Sequence, residues 1–233
     1  IYMVNIGGAN TGNERRGLSF LVFVGIIGFS IARAVATFFT NYLWFDSVEL
    51  NSVWLKIILT KSALVAATSL LAFAFIFINL RLAVRATPVM DIFESFESQD
   101  PLSRFREFFN ERFLKYRLWG AIGLSIFLGA GASQLWEQVL LFINQKSFGV
   151  ADPIFQNDVS SYVFGLPLYR LFVSWGFQLV IFTSFIIVLF FIATGALQLR
   201  QGRLPEVSSG AKAHLSVLLA FVALLKAFAY RLD

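Results

Sequence analysis

LFVSWGFQLVIFTSFIIVLFFIATGALQL, residues 171–199, carries no charged side chain. A bilayer core of roughly 30 Å needs about 20 helical residues, so this stretch reads as a membrane-spanning helix with length to spare for tilt. Working outward, similar runs recur at 17–40, 57–80, 118–142 and 213–230, giving about five spans. The first is interrupted only by Arg33 and the last by Lys226.

Composition agrees. Hydrophobic residues make up 58% of the chain and charged ones 14%, against about 25% charged in soluble domains. Lipid must cover part of that apolar surface. The expected fold is therefore all-α: a polytopic transmembrane helix bundle with an amphipathic interfacial helix on its inner side. Residues 1–16 form a polar amino-terminal tail and 17–233 a membrane domain, with an inner loop at 81–117 and an outer loop at 143–170.

Orientation follows from the placement of Lys and Arg. Arg15, Arg16, Arg81, Arg85, Arg104, Arg106, Arg112, Lys115, Arg117, Arg200, Arg203 and Lys212 share one side. Lys146, Arg170 and Arg231 share the other. This places the amino terminus in the cytoplasm. Basic residues that flank apolar runs read as a topology signal, and with no large solvated domain nucleic acid is not an expected partner.

Asp100-Pro101 in the inner loop is a helix-start signal. Phe105, Phe108, Phe109 and Phe113 then recur at helical spacing, as expected for a helix lying on the inner leaflet or on the protein's own inner surface. In the outer loop, Gly149, Asp152-Pro153 and Leu166-Pro167 punctuate the backbone.

Intramembrane charge is expensive and therefore informative. Arg33, Lys61 and Glu137 fall in the outer half of their spans. Arg33 has the reach to snorkel to the headgroups or to pair with Glu137. Span three carries Ala121, Ser125, Gly129 and Ser133 at four-residue spacing, a seam that admits close approach of another helix from this chain or a partner. Trp44, Trp54, Trp119, Trp136 and Trp175 lie near the expected interfaces.

Catalytic inventory is thin. The chain has no cysteine and one histidine, His214, more often an ordinary hydrogen-bonded residue than a metal or tetrapyrrole ligand. Asp152 and Asp158 are more often turn and cap residues than a cation site. No P-loop, HExxH or nucleophile elbow is present. The expectation is no enzyme, no catalytic residue, no metal and no evident cofactor, although Phe-rich helices can pack against lipid or carotenoid.

Three stretches carry a resemblance. They are Asn41-Tyr42-Leu43-Trp44-Phe45-Asp46-Ser47, the loop from Phe148-Gly149 through Asp152-Pro153, Phe155, Asp158 and Tyr162-Val163-Phe164 to Leu166-Pro167 and Tyr169-Arg170, and the end Leu224 to Asp233. In this order they resemble uncharacterised protein family 0182, bacterial multi-pass membrane proteins of unknown function. Ser161 stands where that family usually has Phe, and Val48-Glu49 replaces Gly-Tyr. The resemblance implies a bacterial inner or internal membrane. It also implies further spans and a large extracytoplasmic region beyond an amino-terminal membrane portion, with no catalytic residues to carry over.

The expected role is a non-enzymatic subunit or scaffold that packs against lipid and other membrane subunits; an energy-converting or pigment-bearing assembly is one suitable host. The alternative is a transporter or channel module built on Arg33, Lys61 and Glu137.

Overall fold

The computed structural model describes residues 11–87, 101–198 and 206–232, with side chains for 18, 20–87, 115–198 and 206–232. It is an all-α transmembrane bundle. Among the described residues six α-helices follow one another: α1 Thr11–Ser47, α2 Asn51–Ala86, α3 Pro101–Ala130, α4 Trp136–Ile143, α5 Leu166–Ala193 and α6 Ser209–Leu232. Among the described residues five segments are long and apolar enough to cross a membrane: Phe20–Ser47, Asn51–Ala86, Lys115–Ile143, Ser161–Ala193 and Ser209–Leu232.

The chain divides into two compact units, 1–58 and 59–233. In the first, α1 ends in a paired-carbonyl cap. Glu49 N–H donates to Asp46 O (3.0 Å) and Leu50 N–H to Phe45 O (2.9 Å), with Glu49 left-handed at φ 60°. This is the helix ending that glycine usually supplies. Asn51 Nδ2 donates to Asp46 Oδ1 across the turn (2.6 Å), and Trp54 packs edge-on against Phe38 and Tyr42, each ring centroid 5.2 Å away.

The second unit holds the core. Ala72, Ile76, Leu80 and Ala83 of α2 repeat at helical spacing, so one face of α2 stays against its neighbours. That face packs in one cluster with Ala121 and Leu128 of α3, Leu179, Ile187, Phe190 and Phe191 of α5, and Ala211 and Leu218 of α6.

Three boundaries differ from the sequence expectation, each for a local reason. The stretch read as an interfacial helix continues directly into span three. No glycine or proline interrupts residues 102–119, and α3 runs unbroken from Pro101 into the membrane. The side chains of Phe105, Phe108, Phe109 and Phe113 lie outside the described residues, so the surface they meet is not assigned.

Span three itself is not one α-helix. It tightens into a 3-10 turn at Gly131–Leu135 before resuming as α4. The turn begins in the run Gly129-Ala130-Gly131, where glycine weakens helical propensity.

Span four begins earlier and ends earlier than 171–199. Leu166-Pro167 starts the helix, because proline's missing N–H is harmless in a first turn. A π-helical turn at Ser161–Gly165 leads in, with Leu166 N–H reaching Ser161 O. Gly195, at φ 76°, stops the helix. The chain then forms a two-residue strand, β1 Leu197–Gln198, antiparallel to β2 Glu206–Val207. Ser208 caps α6, its Oγ accepting from Ala211 N–H (3.3 Å).

Candidate functional site

Where α3 tightens, its terminal carbonyls lose regular helical donors, and a neighbouring helix supplies a replacement. Trp175 Nε1–H of α5 donates to Leu128 O (3.2 Å). The Thr68 hydroxyl of α2 donates to Leu64 O of its own helix (2.6 Å) and lies 3.3 Å from Gly129 O, which shows how closely α2 approaches α3 at this level. Trp175, read from sequence as an interface marker, is an internal clasp.

Of the small-residue seam, Ala121 and Ser125 are buried. Gly129 lies directly on Ser69 of α2: a Cβ there would stand 2.8 Å from the Ser69 amide nitrogen and 2.9 Å from its Cα. Ser133 departs from the seam. It sits in the 3-10 turn, bonds back to Ala130 O (2.8 Å), and Ala132 takes the buried position, because three residues per turn shift the register. At Gly129 the seam meets this chain's own α2.

At the other end of α2 lies a polar pair. Asn79 Nδ2 donates to Phe75 O (2.8 Å), which turns its Oδ1 toward His214 Nε2 of α6, 3.0 Å away. His214 is therefore the donor at Nε2, and in the neutral ring Nδ1 carries the lone pair. That Nδ1 is buried without a partner, and Phe191 packs edge-on against the ring (5.8 Å). Asn79 and His214 border a mainly apolar groove of about 590 Å³, walled by Phe75, Ile78, Leu82 and Phe221. Sequence reasoning singled out His214 and missed Asn79. The available signal was a strongly polar residue inside an otherwise apolar span.

Arg33 is exposed on α1, in the first unit, and Glu137 is exposed on α4, in the second. Lys61 is half-buried, its ammonium 5.3 Å from the centre of the Trp136 ring, a cation–π contact.

The loop between α4 and α5 is organised by two carboxylates. Asp158 accepts from the Ser147 hydroxyl and from the amides of Phe148 (3.1 Å), Gly149 (3.0 Å) and Ser160 (2.8 Å). Asp152 accepts from Phe155 N–H (2.8 Å) and the Tyr162 hydroxyl (3.1 Å), while Pro153 lies in the exposed turn between them. A bridge joins Ala151 to Asp158. The cap-and-turn role thus engages both carboxylates. Trp44 packs on Phe45 with centroids 4.9 Å apart.

The Ser147 hydroxyl, then Ser160 and the Phe148 amide, hold the Asp158 carboxyl far below its ordinary value. The Phe155 amide lowers the Asp152 carboxyl as well, with Tyr162 adding to it. Both groups titrate lower in the folded loop than in an unfolded chain, where aspartate sits near about 3.9. Their stabilisation is complete above that value and is lost as pH falls through the lower folded values. Amide exchange at Phe148 and Gly149 should therefore stay slow from neutral pH down to about 4. Asp158→Asn should speed it at neutral pH. Loosening of the wild-type loop already near pH 6 would contradict this assignment.

Among the described residues, no group of three His, Cys, Asp or Glu side chains is placed to hold a metal ion.

Comparison with known proteins places these features in a family. Residues 18–233 match the model of the uncharacterised protein family UPF0182. A UPF0182 protein of Mycobacterium tuberculosis is 36% identical over 197 residues, covering 84% of this chain and 20% of that protein. One from Nocardia farcinica is 33% identical over 195 residues, covering 84% and 19%. Another from Rhodococcus opacus is 33% identical over 201 residues, covering 86% and 20%. The chain spans about a fifth of the length of these curated relatives. No solved structure matches. The extent of the family match and the identity to these relatives show that the chain belongs to the uncharacterised protein family UPF0182.

Proposed function

We propose that this chain is a non-enzymatic helical membrane module that acts by packing against other membrane subunits, in a bacterial membrane with its amino terminus cytoplasmic. The observation that supports this reading is how the seam's polar groups are used. Trp175 of α5 binds a carbonyl of α3, and Asn79 of α2 binds His214 of α6. Each closes the bundle on itself instead of lining an open path. Large apolar side chains on α6, including Leu219, Leu224 and Phe228, remain exposed, a surface that suits lipid or another helix.

The test uses the absence of cysteine. Single cysteines at Leu219 and Leu224, in the protein extracted into native nanodiscs, should cross-link to a stoichiometric protein neighbour. A particle of one chain plus lipid, with no cross-link from either site, would overturn the proposal.

One observation favours the transporter reading: the 3-10 interruption at Gly131–Leu135 beside Lys61 and Trp136. Broken helices near mid-membrane are a feature of transporters. That reading requires Lys61→Gln to abolish solute flux while assembly persists, and the packing role requires no such change.

A further inference from the structure

At the end of the bundle where α2 finishes, three guanidinium-bearing side chains converge. Arg81 and Arg85 are four residues apart, so they share a face of α2, and Arg117 comes from α3. They line one cavity of about 370 Å³ whose other walls are Phe77, Leu80 and Val84. No carboxylate is among the described residues lining it. Guanidinium stays charged at any physiological pH, so the three repel one another unless an anion sits among them. The cavity is also amphipathic: Phe77 lies one to two turns deeper along α2 than Arg81 and Arg85, and Leu80 and Val84 sit beside the arginines.

We propose that this cavity binds the headgroup of an anionic phospholipid from the adjoining leaflet. Its phosphodiester would lie among Arg81, Arg85 and Arg117, and its upper acyl chain against Phe77, Leu80 and Val84. Charge complementarity selects the occupant. A phosphate oxygen pair matches the planar fork of arginine, and basic pockets between membrane helices are known headgroup sites. A net-negative lipid balances three cations better than a zwitterionic one. A soluble phosphate would leave the apolar wall uncovered. Arg85 also borders the groove between α2 and α6 that holds Asn79 and His214, so an occupied headgroup site would adjoin both grooves of α2.

The experiment is native mass spectrometry of the purified full-length protein, titrated separately with phosphatidylglycerol, phosphatidylcholine and inorganic phosphate. Phosphatidylglycerol should bind at least about tenfold more tightly than phosphatidylcholine, and Arg81→Gln with Arg117→Gln should remove that preference, since each basic residue near an anionic headgroup contributes about fivefold. Arg231→Gln, at the far end of α6, should leave it intact. Equal retention of the two lipids by the wild-type protein would overturn the proposal, and that comparison does not depend on any variant folding. Inorganic phosphate that displaces the lipid at equal concentration would also overturn it, by making the site one for free phosphate. A preference that survives both glutamine substitutions would place the lipid elsewhere.

Discussion

Replacing Gly129 with valine should unseat α3 from α2 and destabilise the bundle by about 3 kcal/mol or more. In a chain of this size that is roughly a 6–12 °C fall in Tm. The cause is backbone against backbone. A Cβ at this position would lie 2.8 Å from the Ser69 amide nitrogen and 2.9 Å from its Cα, distances that no side-chain rotation relieves. The two helices must separate. Lipid does not reward helix association hydrophobically, so close packing carries more of the energy than in a soluble protein. Gly123 is the control. A Cβ there meets nothing within 4 Å, so Gly123→Ala should be neutral or gain up to about 1 kcal/mol of helix propensity. Thermal unfolding of both variants in nanodiscs checks the pair. Equal melting temperatures for Gly129→Val and wild type would show that α2 and α3 do not meet at Ser69.

The second large effect concerns Asn79 and His214. Asn79→Leu removes the acceptor of His214 Nε2–H and leaves a buried ring with both nitrogens unpartnered. His214→Leu orphans Asn79 Oδ1 in the same way. Each should cost about 2 kcal/mol, the desolvation of one buried polar group. Substituting both removes the orphans together, so the double variant should lose clearly less than the sum. The coupling should be about 1 kcal/mol, within the range found for hydrogen bonds between membrane helices. A thermodynamic cycle on the four proteins measures it. Strict additivity would mean that the two side chains do not depend on each other.

Much of this architecture was legible before the structure, and the reasons are local. Residues 171–199 had to leave water because they have no charge, and length alone then required a helix. The close approach at Gly129 was legible in kind from small residues at four-residue spacing. That spacing assumes 3.6 residues per turn throughout, and the tightening at Gly131–Leu135 is why Ser133 fell out of the seam and Ala132 entered it.

The ends of span four were misplaced for a related reason. Hydropathy registers apolar character and not backbone state, so it ran past Gly195, whose positive φ ends α5. It also read Leu166-Pro167 as a break where proline starts a helix. The partnership of Asn79 with His214 was out of reach because 135 residues separate them and no periodicity connects two helices that far apart. The same holds for Arg117, which sequence assigned to topology alone and which the fold brings beside Arg81 and Arg85.

The proposed packing role requires that the helices of the second unit close on one another, with no aqueous path among the described residues of their seam. Water-soluble maleimide labelling tests it most directly, using single cysteines at Ala121, Ser125 and Thr183, all buried, in a background that has no other thiol. In vesicles opened to reagent on both sides these three should remain unlabelled until the protein is denatured, while a cysteine at exposed Ile154 in the loop between α4 and α5 labels at once. Rapid labelling at Ser125 or Thr183 in the folded protein would contradict the account and reveal a water-filled passage.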